Sequence, residues 1–317
     1  MPLQENSQMK PVRKAVLPVA GLGTRLLPAT KVMPKELLTV VDRPLIQMAV
    51  EEAREAGIEE FVFVIRQGKE LLLQHFEKPE VLMELLQAKN KVDQIEKLES
   101  SSLPKTAIHI VEQEEALGLG HAVWCAKDLI GDEPFAVILP DDTVRSARGC
   151  LAQMMDVYRL HGGNVVGTCQ VPTKDSSKYG MLDVSARHDR IVTIKNLVEK
   201  PAPEDTPSNM AIFGRYILQP EIFAYLGRHE TGAGGEIQLT DAMAHLIHDM
   251  PFYGCEFLGE RLDCGFDLGF VKAQIAFGLD KPHMAKELVA YMQEKIAAYA
   301  PQVDQETTVE ALRISVK

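Results

Sequence analysis

The sequence predicts an α/β fold built on a mostly parallel central sheet, and three observations carry that expectation. Short apolar runs of strand length alternate with helical patterns through the first half of the chain. Two of those runs end in residues suited to ligands, Gly21 after one and Asp141 after another. No linker rich in Pro, Gly or Ser divides the chain, so one continuous sheet with an extension is expected rather than two independent domains. Strand–helix alternation gives parallel sheets covered on both faces, and such sheets bind ligands beyond the carboxyl ends of their strands.

The elements follow in order. Residues 15–19 read as a buried strand opening into a glycine turn. Leu45, Ile46, Ala49, Ala53 and Ala56 keep helical spacing and stop at Gly57, a C-cap residue. Residues 61–65 and 107–111 read as further strands, 120–129 as a helix, and 135–139 as a strand running into Pro140-Asp141-Asp142. Beyond Cys150 the pattern is mixed: a strand over 164–171, a hairpin over 179–184 and 191–198, and a strand over 211–218. Val81, Leu85, Ala88, Val92 and Ile95 follow 4-3-4-3 spacing, which fits either a helix laid on its own core or a self-association seam. Met284, Leu288, Met292 and Ile296 raise the same two readings near the C-terminus.

Composition bounds the function. A chain of 317 residues with 46% hydrophobic content and 25% charge is ordinary for a globular protein. A formal net charge of -11 argues against a nucleic-acid partner, which calls for a broad basic face. The first residues lack the apolar core of a signal peptide, and no apolar run is long enough to span a bilayer. Five cysteines form no CxxC pair and are odd in number, as expected of reduced thiols in a cytoplasmic protein.

Against that acidic background, residues 6–35 contain no Asp or Glu but carry Lys10, Arg13, Lys14, Arg25, Lys31 and Lys35. The stretch surrounds Gly21-Leu22-Gly23-Thr24, where missing side chains let backbone N–H groups approach a ligand. A glycine turn with convergent cations is the chemistry of a polyphosphate cradle. A dinucleotide fingerprint is excluded: Leu26 stands where its third glycine belongs, and Pro28 follows where its helix should continue. No GxxxxGK[ST] loop is present. What remains is a glycine turn with Arg25 reaching a phosphate and Lys35 returning to the same place.

AGLGTRLLPAT, followed by PKELL and VDRPLIQ, closely resembles the signature of bacterial UTP–glucose-1-phosphate uridylyltransferases, the UDP-glucose pyrophosphorylases. The similarity continues through Gln113 and GLGHAV, then LPDD, YG, VEKP, GAGGEIQLTDA and LDCG, in family order over about residues 14–270. The resemblance implies a Rossmann-like, glycosyltransferase-A-like nucleotidyltransferase sheet with a sugar-side β extension and C-terminal helices. Residues 1–12 would be a flexible N-terminus and 13–280 a single catalytic domain. Within it, the nucleotide side covers about 13–150 and the sugar-phosphate side about 151–270, with 281–317 a C-terminal helix and tail. Its implied reaction joins UTP and glucose 1-phosphate into UDP-glucose and pyrophosphate, with Mg²⁺ as cofactor and a homodimer or homotetramer as the assembly.

The same resemblance distributes the site. Arg25 falls to the triphosphate and leaving group, and Lys35 to the α-phosphate in the transition state. Ala20, Gly21 and Gly23 belong to the turn against the uracil edge and phosphates. Gln113 offers an amide matched to an imide ring, Gly118 leaves space against the base, and Glu36 lies near the ribose. Asp141, at a strand's carboxyl end, suits a hard cation, though read alone an Asp there is often only a helix cap. Asp263 is the second metal ligand by resemblance. Glu199 and Lys200 would read alone as a solvated ion pair; the family gives them the glucose hydroxyls and the sugar phosphate, with Gly180 admitting the sugar closely. Asn209 and Gly214-Arg215 are further sugar-side candidates. His121 is expected as a satisfied histidine near a helix start, with Cys264 and Trp124 as core.

The departures are Thr39 where proline is usual, Leu117 where lysine is common, and Phe266-Asp267 after the DCG triplet. Two alternatives stay open: a thymidylyltransferase making dTDP-glucose, disfavoured by Ala20-Gly21 and Lys35-Glu36, and a non-catalytic paralogue that only binds nucleotide sugar.

Overall fold

Val16, Val62 and Val137 lie side by side in register on three neighbouring strands, all fully buried, within the parallel half of one nine-stranded sheet. The computed structural model describes residues 9–314. The principal strands are β1 (Lys14–Pro18), β2 (Glu60–Ile65), β3 (Ile108–Glu112), β4 (Phe135–Ile138), β5 (Asp142–Arg145), β6 (Asn164–Gln170), β7 (Gly180–His188), β8 (Ile191–Glu199), β9 (Met210–Leu218), β10 (Phe252–Glu256) and β11 (Glu260–Asp263). The main sheet has the order β3-β2-β1-β4-β9-β6-β10-β8-β7. Residues alternate between its faces. Ala15, Leu17, Phe61, Phe63, Ala136 and Ile138 enter one core, while Val16, Val62, Val64 and Val137 enter the other. Burial on both faces explains why these strands read as unbroken apolar runs rather than alternating ones.

Uninterrupted parallel pairing, expected of most of the sheet, is confined to one half. Strands β3, β2, β1 and β4 run parallel. Past β4 the directions mix: β9 is antiparallel to β4 and β6, β10 is parallel to β6, and β8 is antiparallel to β10 and β7. The cause lies in the connections. β7 and β8 are joined directly through a tight turn at Asp189, whose φ is 53°, and a short turn can only join antiparallel strands. A separate ribbon pairs β5 with β11 and sets Asp263 opposite Asp142.

The principal helices are α1 (Leu45–Glu55), α2 (Glu80–Ala88), α3 (Val92–Ser101), α4 (Leu119–Cys125), α5 (Cys150–His161), α6 (Leu239–Leu246), α7 (Asp267–Leu279) and α8 (Pro282–Ile314). α1 buries Leu45, Ile46, Ala49 and Ala53 as its periodicity predicts, and the chain leaves it at Gly57 with φ 95°. The heptad-like stripe does not form one helix. Asn90, at φ 51°, reverses the chain between α2 and α3, so the spacing is interrupted. Val81, Leu85 and Val92 are exposed, and Met83 is the residue α2 buries, so the stripe is not core of this chain.

Residues 1–8 of the expected flexible N-terminus lie outside the described residues. Beyond them Val12 is buried and the Tyr158 hydroxyl donates to the Lys10 carbonyl. Among the described residues, no helix is long and apolar enough to cross a membrane.

Candidate active site

The glycine turn follows β1 directly. Gly23 takes φ 67°, a left-handed conformation that glycine adopts without strain. A methyl group there would lie 3.3 Å from the Cβ atoms of both Lys35 and Thr30, so the turn and the Lys35 segment are closely apposed. Thr30 Oγ1 donates to the Gly23 carbonyl at 2.7 Å. Pro34 leads into a single 3₁₀ turn, Lys35–Leu37, which turns Lys35 back toward the sheet rim.

There Lys35 Nζ lies 2.5 Å from Asp141 Oδ2. Burial is the largest influence on both groups and works to discharge them, but the surrounding charges and hydrogen bonds together outweigh it. Asp141, then Glu36, keep Lys35 above the ordinary lysine value, and Lys35 keeps Asp141 below the usual carboxylate range. Asp263 arrives from the ribbon, with the Cys264 N–H donating to the Asp141 carbonyl at 2.7 Å. The next residue, Gly265, marks the point of convergence. A methyl group on it would lie 3.0 Å from Asp263 Oδ1, 3.1 Å from Asp141 Oδ2 and 3.6 Å from Arg25 Nη1. Two carboxylates and a guanidinium therefore bracket one small space, open because residue 265 has no side chain.

Asp142 has a different task. Its Oδ2 accepts from the Gly214 N–H at 3.1 Å and its Oδ1 from Arg261 Nη2 at 3.2 Å. Burial pushes its carboxyl up to about 6; Arg261 opposes that rise, while Asp263 and Asp141 add to it. Arg261 also lies 3.6 Å from Asp263 Oδ2 and stacks over the Tyr179 ring at 4.6 Å. It thus links the acidic rim to the β7–β8 side.

A cleft of about 280 Å³ joins these groups to the other half of the sheet; Arg25, Asp141, Asp263, Gly180, Glu199 and Lys200 all line it. Lys200 has φ 47° and its Nζ lies 3.0 Å from Glu199 Oε1. Gly180 is needed where it stands, because a methyl group would lie 2.9 Å from both Ile212 and Thr240 and 3.2 Å from Glu199 Oε2. Gly214 lines the cleft too. Arg215 does not serve it: at 1% exposure it is sealed against Glu52, a correction to its candidacy on the sugar side. Asn209 bonds Gln170 at the surface, away from the cleft.

The remaining expected residues gather beside the glycine turn rather than in that cleft. Ala20 is buried and Gly21 exposed, with open space where its side chain would stand. Glu36 is almost completely buried against Lys69, whose Nζ lies 2.9 Å from Glu36 Oε2 and 2.5 Å from the Val19 carbonyl. Burial raises the Glu36 pKa and lowers that of Lys69, each partly opposed by the partner. Glu36 Oε1 is buried with no hydrogen-bond partner among the described residues. Such an orphan acceptor is costly unless a ligand satisfies it. Gln113 is buried and bonds the Gly118 carbonyl and His121. Gly118, at φ 108°, lets the chain pass Glu236, which lines the cleft.

Sequence reasoning missed Arg261, Lys69 and the cleft-lining Glu236 and Thr240. For Arg261 a signal existed: it stands two residues before Asp263, so on a strand the two share a face. Lys69 carried none, since an isolated lysine after a strand is ordinarily solvated. His121 and Cys264 are buried and Trp124 packs against the core, as expected.

Fold and site together define an enzyme that handles phosphates, with cations and carboxylates collected at the carboxyl ends of β1 and β4. Comparison with known proteins narrows the class. The nucleotidyl transferase family model matches residues 14–275. A UTP–glucose-1-phosphate uridylyltransferase of Komagataeibacter xylinus is 49% identical over 257 residues, covering 81% of this chain and 90% of that protein. The UTP-bound UGPase from Acinetobacter baumannii superposes with a TM-score of 0.82 at 37% identity, covering 90% of this chain and 99% of the other. A UDP-glucose pyrophosphorylase complexed with UDP-glucose gives 0.77 at 38% identity, covering 86% and 100%. The chain belongs to the nucleotidyl transferase family, among its UTP–glucose-1-phosphate uridylyltransferases.

Proposed function

We propose that this protein transfers a uridylyl group from UTP to glucose 1-phosphate, releasing pyrophosphate, and that the cleft bounded by Arg25, Asp141, Asp263, Glu199 and Lys200 is where the two substrates meet. The observation that carries the reading is the convergence of Arg25, Asp141 and Asp263 on the space beside Gly265, with Lys35 held on Asp141. A phosphate oxygen of the sugar phosphate attacks the α-phosphorus of UTP in line with departing pyrophosphate. That nucleophile is already largely ionised near neutral pH, so no general base is needed. The barrier is repulsion between anions, and catalysis is positioning plus electrostatic stabilisation.

Roles follow from position. Lys35, held cationic next to the rim, is assigned to the α-phosphate, where charge builds in the transition state. Arg25, exposed on the glycine turn, is assigned to the triphosphate and the leaving group. Lys200 holds the incoming phosphate and Glu199 accepts from glucose hydroxyls, with Gly180 keeping the wall low enough for the ring. Glu36, paired with Lys69 beside the turn, is assigned to the ribose side, and Gln113 with the Ala20-Gly21 backbone meets the base. The division into a nucleotide side, residues 13–150, and a sugar-phosphate side, residues 151–270, follows the two halves of the sheet.

Enzymes of this kind use a divalent metal, and the residues present fit one. Among the described residues no group of three His, Cys, Asp or Glu could cage an ion. Two carboxylates bracketing one space, with the remaining ligands supplied by substrate phosphates and water, suit Mg²⁺, which we assign. Asp141 and Asp263 would hold it, and when bound it supplies charge neutralisation at the phosphates. Pyrophosphate release, measured across UTP, dTTP, CTP and ATP against glucose, galactose and mannose 1-phosphates, tests the reading. UTP with glucose 1-phosphate is expected to dominate. Preference for dTTP would point to the thymidylyltransferase, and no release from any pair would leave a binding protein.

A further inference from the structure

Gln113 follows β3, its backbone N–H donating to the Ile65 carbonyl at 2.8 Å. Its side-chain nitrogen lies 3.1 Å from the Gly118 carbonyl oxygen and 3.0 Å from His121 Nδ1. A carbonyl oxygen only accepts, so the amide nitrogen, and not the amide oxygen, must face Gly118. The second hydrogen of that NH₂ group then meets His121 Nδ1, which accepts only when unprotonated. His121 is therefore a neutral imidazole with its proton on Nε2. With both amide hydrogens engaged, Gln113 keeps Oε1 as its one remaining hydrogen-bonding atom, and an oxygen there can only accept.

The surroundings hold this arrangement in place. His121 is buried, and its ring stacks on Trp124 at 5.9 Å and meets His229 edge-on at 5.6 Å. Trp124 and His229 pack edge-on to each other at 4.6 Å, so the imidazole cannot turn freely. The Gly118 carbonyl is fixed as well, because its φ of 108° suits glycine and a methyl group there would lie 2.8 Å from Glu236 Cβ. Burial, followed by the nearby His229, lowers the His121 pKa, in keeping with a neutral ring.

We infer that His121 is a positioning residue for base selection: by accepting from the Gln113 amide it leaves an acceptor-only edge, which admits a pyrimidine carrying hydrogen on N3 and opposes one whose N3 is a lone pair. The inference rests on the reading of Gln113 as the residue that meets the base. Uracil and thymine satisfy such an edge. Cytosine sets a lone pair against Oε1 and leaves both acceptors unsatisfied.

The test compares kcat/KM for UTP and for CTP, each with saturating glucose 1-phosphate, in the full chain and in His121→Phe and His121→Gln. Phenylalanine keeps an aromatic ring and removes the acceptor; glutamine restores an acceptor oxygen. The UTP-to-CTP ratio is expected to fall by about tenfold or more in His121→Phe, as a lost buried acceptor implies, and to stay close to wild type in His121→Gln. A wild-type ratio in His121→Phe, even at reduced total activity, reduces His121 to packing and overturns the inference while leaving uridylyl transfer standing. No UTP turnover in the unsubstituted chain brings down the functional reading instead. Imidazole ¹⁵N shifts of the unsubstituted protein give an independent check should His121→Phe fail to fold. They are expected to report the Nε2–H tautomer at neutral pH, and an Nδ1–H tautomer or an imidazolium contradicts the proposal.

Discussion

Two ion pairs lie on either side of the turn from Leu139 to Asp142, and their surroundings differ more than their chemistry. Lys35 and Asp141 meet at 2.5 Å at the cleft, each with a fifth of its side chain still exposed. Arg215 and Glu52 meet at 2.8 and 3.0 Å behind the same turn, with Arg215 at 1% exposure. Arg215 also donates through Nη1 to the carbonyls of Leu139 and Gly214 at 2.9 Å. Those two residues flank the acidic turn: Leu139 precedes Pro140-Asp141, and the Gly214 N–H holds Asp142. The pair of Arg215 and Glu52 has every reason to stay closed, since parting it strands the Arg215 guanidinium without water. The rim pair can exchange one protein partner for substrate. One pair keeps the rim's shape, and the other is the one we assign to its chemistry.

Substitutions can break or sharpen that contrast. The largest stability change is expected from Arg215→Met, which takes the ion partner from Glu52, a carboxylate with only a tenth of its side chain exposed, and releases two carbonyls at the rim. A loss of about 3–5 kcal/mol in chemical denaturation follows from the usual cost of stranding a buried charge. A loss below about 1 kcal/mol would mean that the pair is solvated and the contrast empty.

Lys35→Ala is expected to do the opposite, lowering kcat by about 10²-fold or more while costing much less stability than Arg215→Met. Equal stability losses in the two variants would erase the distinction. Removing divalent ions with a chelator should stop turnover without unfolding the protein, and Mg²⁺ should restore it; turnover in the chelated enzyme would take the metal away from Asp141 and Asp263.

The smallest effect is expected across the cleft. Glu199→Gln should raise KM for glucose 1-phosphate by about tenfold and leave KM for UTP unchanged. A shift in KM for UTP instead would undo the assignment of that half of the sheet to the sugar.

The strands of the parallel half were legible because burial on both faces leaves an unmistakable apolar run, and Gly21 and Asp141 follow such runs directly. Arg25, Lys35, Asp141 and Asp263 were legible as candidates by type and by family resemblance, and the fold brings them together. What could not be read were pairings made by distant segments. Arg215 stands in an apolar strand, and nothing local marks Glu52 on α1 as its partner. Lys69 reaches Glu36 only because two loops meet beside Val19. The helical stripe through Val81 and Val92 misled because spacing alone does not show that Asn90 turns the chain back on itself.

A crystal structure with UDP-glucose and Mg²⁺ bound tests the central claim most directly. The diphosphate should lie within hydrogen-bonding reach of Arg25 and Lys35, with the metal on Asp141 and Asp263 and the hexose against Glu199. A diphosphate seated elsewhere, for instance in the cleft of about 380 Å³ lined by Glu52 and Arg145 behind the rim, would contradict the account.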